Sequence, residues 1–386
     1  FRAAALYEEI LERPDQAIGV YTNILDVDPE DLGALDKLIE LHLRLEQWEA
    51  VLAVYERKAD IVGDPDEKKS LYLEVGAVYE REIGDVAKAI DTYQRILEIE
   101  PDDMTAIGRL DALYQASENW QELLAILERE ADLAGDPNEV ISYRYRIADL
   151  WDHRLGDAAR AVEGYREILA VAPDHQPTLE ALERMIEEGK EPREAALVLE
   201  PVYAQYGEFE RLVRVLEVQI AHDEDPIRKI ELLHRVAELH EVQLEKSREA
   251  FDAFARALPL ESANEHTLAN LERLADELGA WSEVTRLYDL EVEKLKEAQE
   301  VDALVDLALR VAQIYFVQVG DADSAIARYR TVIEADEHHA QAVEALDQLY
   351  EQTERWAELA EILQKEAQLA ASPEDVLSFQ FRLGQL

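Results

Sequence analysis

Apolar and polar residues alternate along this chain with the spacing of amphipathic helices, and the pattern returns at long, nearly fixed intervals. One landmark is an alanine followed four positions later by an aromatic ring: Ala17 and Tyr21, Ala89 and Tyr93, Ala161 and Tyr165, Ala250 and Phe254, Ala325 and Tyr329. The rings step by 72, 72, 89 and 75 residues. A second landmark, out of step with the first, opens runs such as WQELLAILEREAD: Trp48, Trp120, Phe209, Trp281 and Trp356 step by 72, 89, 72 and 75. Two independent series with nearly the same steps define a tandem repeat.

Each unit reads as four helices, A to D. In the A helix a small residue is followed three positions later by a ring: Ala4 and Tyr7, Gly76 and Tyr79, Ala148 and Trp151, Ala237 and His240, Ala312 and Tyr315. Such neighbours share a face, so the small residue admits another helix and the ring fills the space beside it. Gly84-Asp85, Gly156-Asp157 and Gly320-Asp321 predict the end of an A helix and the cap of a B helix, with Pro14-Asp15 in their place in the first unit. Pro29, Pro101 and Pro173 close B helices; the fourth and fifth units lack that proline, which predicts looser turns there. The C helices align on Leu38, Leu110, Leu182, Leu271 and Leu346, with a second apolar residue three further on. Asp64-Pro65, Asp136-Pro137, Asp225-Pro226 and Ser372-Pro373 then start the next A helix.

The expected units are about 1–64, 65–136, 137–225, 226–298 and 299–372, with 373–386 the start of another. The third is longer because 187–208 intervenes before Phe209. That segment reads as an irregular helical insert interrupted at Pro201, and a single added helix predicts a bend or packing defect. The final segment stops before the ring of its A helix, and Phe1 begins within a repeat, which predicts a piece of a longer protein.

Composition agrees with an all-α fold: 48% of residues are hydrophobic, and only 14 glycines and 12 prolines are spread over 386 positions. A formal charge of −47 disfavours binding to nucleic acid and to anionic membrane surfaces. It favours solubility first and basic partners second. No apolar run reaches the roughly 18 residues of a membrane span, and no signal-peptide pattern precedes Phe1, so cytoplasmic placement is the default expectation.

No catalytic constellation emerges. The chain has no cysteine, and among 86 acidic residues a carboxylate pair carries no information about catalysis. His338-His339, and His234 with His240, lack the spacing of a metal site. DVDPED, from Asp26 to Asp31, has no glycine at the sixth place of a calcium loop and reads as a turn. No cofactor is expected and no phosphate-binding loop occurs.

The run Val75-Gly76, Tyr79, Ala89, Tyr93 and Pro101 resembles the tetratricopeptide repeat family, although the turn between A and B is one residue longer than usual. The likeness covers nearly the whole chain outside the insert. It implies a right-handed α-solenoid of helix pairs with a concave groove lined by the A helices. Carried onto this chain, the lining is Ser142, Tyr145, Asp149 and Asp152 in the third unit, Glu231, His234, Glu238 and Glu241 in the fourth, and Leu309, Gln313 and Phe316 in the fifth. Such a wall is acidic with aromatic interruptions and suits a protein or peptide with basic segments. The family's clamp for a terminal carboxylate is basic and is not expected here.

The leading expectation is therefore a non-enzymatic scaffold for protein partners. The alternatives are the recognition arm of a larger enzyme, such as a kinase or transferase, and a structural protein that self-assembles by end stacking.

Overall fold

The computed structural model describes residues 1–370 and 372–386, and among them every regular element is helical. The chain divides into two compact halves, Phe1–Leu182 and Glu183–Leu386, the division falling inside the helix Gln176–Glu187. In each half successive helices pack on their neighbours as a solenoid of hairpins. Among the described residues, no helix is long and apolar enough to cross a membrane.

The second unit shows how the pattern becomes structure. Its helices are Pro65–Val78, Val86–Ile99, Met104–Ala116 and Trp120–Leu133. Gly76 lies against Tyr93, whose ring is fully buried and whose hydroxyl donates to Glu80 Oε2 at 3.0 Å. A Cβ at position 76 would stand 2.5 Å from Tyr93 Cε1, so glycine is required by contact. In the third unit the same A-helix position holds Ala148, and room comes from Gly164 on the facing helix, where an added Cβ would meet Ala148 Cβ at 3.0 Å. The five B-helix rings and the five C-helix leucines are all buried.

The long turn between A and B has a specific form. Each A helix ends in one wider, π-helical turn: Leu6–Ile10, Tyr79–Ile83, Trp151–Leu155, Leu239–Gln243 and Tyr315–Val319. That turn absorbs the additional residue. It is closed by a bond reaching back six residues, as from Asp85 N–H to Tyr79 O at 2.9 Å and from Asp321 N–H to Tyr315 O at 3.0 Å. The left-handed residue that stops the helix is Gly84, Gly156 or Gly320 in three units, and Glu12 or Glu245 in the other two. Asp85, Asp157 and Asp321 then accept from Lys88, Arg160 and Ser324 N–H at 3.1, 3.0 and 3.1 Å. Asp85→Ala is expected to cost about 1 kcal/mol, read as a lowered urea midpoint.

The expectation of a looser B-to-C turn needs correction in the fifth unit. The fifth unit has no loose B-to-C turn: Asp336 N–H donates to Val332 O at 2.8 Å, as Glu100 N–H does to Ile96 O at 2.8 Å in the unit that has the proline. A helix-ending bond of this kind needs only a backbone N–H. In the fourth unit Pro259 lies within a short 3₁₀ turn, Leu258–Leu260, that carries buried Leu258.

The segment before Phe209 is also more regular than its sequence predicts. It forms a single helix, Pro192–Tyr206, that continues through Pro201. Pro201 is exposed and removes one backbone donor from the helix without ending it. Leu199 stands ten residues before Phe209, as Leu110 stands ten before Trp120. Glu200 binds the next A helix through Arg235, as Asp111 does through Arg146. Toward the fourth unit this segment therefore takes the place of a C helix.

Candidate functional site on the A-helix faces

The outward line along each A helix, exposed except at half-buried Arg146, Asp149, Arg235 and Arg310, follows positions i, i+4, i+7 and i+11. It comprises Ser142, Arg146, Asp149 and His153 in the third unit and Glu231, Arg235, Glu238 and Val242 in the fourth. Asp306, Arg310, Gln313 and Val317 form it in the fifth. The spacing taken from sequence was i, i+3, i+7 and i+10, so its first and third members lie on this line and the other two fall beside it.

Ser142, Glu231, Glu238 and Gln313 are exposed, and Asp149 is half-buried with His153 Nδ1 at 3.2 Å. Asp152 must be removed from the lining, because only 5% of it is exposed and its carboxylate faces His153 at 3.3 Å. It falls in the wider turn Trp151–Leu155, where α-helical spacing no longer holds. Glu241, in the equivalent turn, is forked to Arg273 with both bonds at 2.7 Å and is committed within its own unit. Tyr145 packs on Tyr165 and His175, with ring centres 5.8 and 5.7 Å away. His234 packs on Phe254 and His266 at 5.5 and 4.7 Å, and its Nε2 lies 2.8 Å from Thr267 Oγ1. Burial, reinforced by His266, lowers the His234 pKa. Both rings serve packing within the unit. Phe316 is 37% exposed in the fifth unit's π turn, and Leu309 is half-buried on a cleft wall.

The residue missed from sequence is the arginine at the middle of the line: Arg146, Arg235, Arg310 and, in the last segment, Arg382. Each is pinned by an acid from the element that precedes it by two helices. Arg146 forks onto Asp111 at 2.8 and 2.7 Å and reaches Gln115 Oε1 at 3.2 Å. Arg382 forks onto Asp347 at 2.6 and 2.8 Å and reaches Glu351 at 3.1 Å. Arg235 binds Glu200, and Arg310 binds both Glu272 and Glu265. At the junction of the first and second units both partners change together, to Glu74 and Ile39. There Lys58 on the D helix supplies the cation, binding Asp36 at 2.8 Å and Glu67 at 3.2 Å. A signal for the ladder exists in the sequence: an arginine at one register of the A helix and an acid directly after the C-helix leucine.

Three surface clefts lie on this line, each with one of these arginines on its wall. The cleft at Arg146 measures about 250 Å³ and includes Trp120, Tyr145 and Asp149; Arg154 covers the Trp120 ring at 4.9 Å. The cleft at Arg235, about 490 Å³, includes Gln219 and Glu231. The largest, about 510 Å³ at Arg310, includes Trp281, Asp306, Leu309 and Gln313. With each guanidinium satisfied by an internal acid, these clefts offer aromatic and aliphatic wall, amide groups and uncommitted carboxylates. Among the described residues, no group of three or more histidines and carboxylates is placed to hold a metal ion.

Family models for the tetratricopeptide repeat match residues 70–103, an A and B pair, and 106–141, which includes the following C and D pair. This chain contains tetratricopeptide repeats. Proteins built of these repeats bind protein partners and act as interaction scaffolds. A comparison with curated proteins returns no match.

Among solved structures, Naa15/Naa10 bound to HypK is 13% identical over 99% of this chain and 65% of that one, with a TM-score of 0.31. This chain thus spans less than two thirds of that relative's length. The C-terminal part of a repeat protein from Cytophaga hutchinsonii is 15% identical over 70% and 98% of the two chains, with a TM-score of 0.30. Yeast Tom70 is 14% identical over 91% and 94%, with a TM-score of 0.23. Likenesses this distant carry no functional argument.

Proposed function

We propose that this protein is a non-enzymatic scaffold that holds a protein or peptide with basic segments against its A-helix faces. The carrying observation is the repeated exposed line, on which clefts recur at Arg146, Arg235 and Arg310. Glu231, Glu238 and Asp306 on that line are exposed and enter no ion pair among the described residues, so their charge is available to a cationic side chain. Trp281 and Leu309 in the largest cleft supply apolar contact. A net charge of −47 steers a basic partner toward the chain from a distance.

Replacing Glu231, Glu238 and Asp306 with lysine is expected to weaken partner binding about tenfold or more at low salt, chiefly through slower association, with helicity unchanged. Surface plasmon resonance at two ionic strengths reads this directly. Unaltered binding by the triple variant would exclude the line as the docking surface. Asp152 and Glu241 are unsuitable for this test, because reversing either would disturb the fold.

A further inference from the structure

The D-helix position ten residues after the lead aromatic faces the arginine ladder from a third side. It is Glu130, Gln219, Glu291 and Glu366 in units two to five. In the third unit Gln219 Nε2 donates to Glu200 Oε2 at 2.6 Å, while Glu200 also receives Arg235. Glu291 finds its own cation, Lys294, at 2.7 Å.

Glu130 and Glu366 have no such relief. The Glu130 side chain is only 5% exposed and stands 4.0 Å from Arg146 Nη1, while that guanidinium is forked onto Asp111. Glu130 Oε2 has no hydrogen-bond partner among the described residues, and neither has Glu366 Oε2. The groups facing Glu130 are Asp111 from the C helix, and Tyr143 and Arg146 from the next A helix. Those facing Glu366 are Glu344 and Asp347 from the C helix and Arg382 from the next A helix, with Glu351 also bound to Arg382. One guanidinium thus serves two sheltered carboxylates at each junction.

We infer that Glu130 and Glu366 are proton-binding sites that couple the stacking of successive units to pH. Each takes up a proton beside the aspartate that holds the guanidinium, and as a neutral acid makes no claim on that guanidinium. Ionisation of Glu130 leaves two carboxylates against Arg146 and loosens the hold on Pro137–Leu150; ionisation of Glu366 does the same to Pro373–Gln385.

Burial, then Asp111, push Glu130 up to about 7 against the lowering effect of Arg146. Burial and Asp347 likewise push Glu366 up to about 7, against Arg382. Both lie above the ordinary value of 4.5. The folded chain therefore binds these protons more tightly than the unfolded one. Their stabilisation is complete below about pH 4.5 and is lost as pH rises through about 7.

The test is a ¹³C titration of glutamate side-chain carboxyls in the full chain, paired with amide hydrogen exchange across 137–150 and 373–385. Two carboxyl signals are expected to titrate near pH 7, one disappearing in Glu130→Gln and the other in Glu366→Gln. Between pH 6 and 8, after correction for intrinsic rates, opening of 137–150 is expected to rise about tenfold in the natural chain and to stay level in Glu130→Gln. If every glutamate signal titrates below about pH 6, the inference is overturned; this arm needs no variant to fold. Persistence of the tenfold rise in a folded Glu130→Gln chain would also overturn it.

Discussion

Gly76→Leu is expected to destabilise the second unit by about 3 kcal/mol, at the upper end of the usual cost of overpacking. The obstacle is an aromatic ring held on both sides. Tyr93 is fully buried in the core between successive helices, and its hydroxyl is tied to Glu80. It has no room to step back when a Cβ arrives 2.5 Å from its edge. Gly76→Ala is expected to lie part-way, since the same Cβ is present without the larger branch. Urea unfolding followed by circular dichroism reads the effect as a fall in midpoint at nearly constant slope. A midpoint unchanged by leucine would mean that the A and B helices do not pack as closely as the structure has them.

The second large effect is expected at the ladder. Arg146→Met should cost about 2 to 3 kcal/mol, because it removes both donors from sheltered Asp111 and leaves Glu130 beside it without a cation. The figure is below that for a fully buried pair because the guanidinium is 33% exposed and partly screened. Changing Asp111 to leucine as well should recover part of the loss, since it removes the carboxylate that the arginine had paired and leaves only Glu130 at the junction. The junction of the first two units already dispenses with this pair, pairing Ile39 with Glu74 in register. A double-mutant cycle with no coupling between positions 111 and 146 would show that the fork contributes nothing to stacking.

The architecture was legible because its causes are local and repeated. Ala89 with Tyr93, Gly84 with Asp85, and Asp136 with Pro137 each satisfy a backbone or packing demand within a few residues, and each recurs in register. The candidate site was legible only in part, for a geometric reason. A period of i, i+3, i+7 and i+10 marks a helix face, but i, i+4, i+7 and i+11 marks a neighbouring one. Sequence alone does not say which of them the next helix covers. Tyr145 and His234 were drawn to packing, and Arg146 and Arg235 emerged in their place. Asp152, at i+10 and beside the exposed line, is buried. Pro201 deceived for a different reason: an interior proline removes one helical bond without ending the helix, and the helix Pro192–Tyr206 runs on through it.

The claim that partners dock on the A-helix line is tested most directly by placing a photo-crosslinking amino acid at single exposed sites of the full chain. Gln313 and Glu238 lie on the line, and Ala327 is exposed on the B helix that follows Gln313 in the fifth unit. The account expects covalent partner adducts from Gln313 and Glu238 and none from Ala327. Adducts from Ala327 alone, or equally from all three, would contradict it.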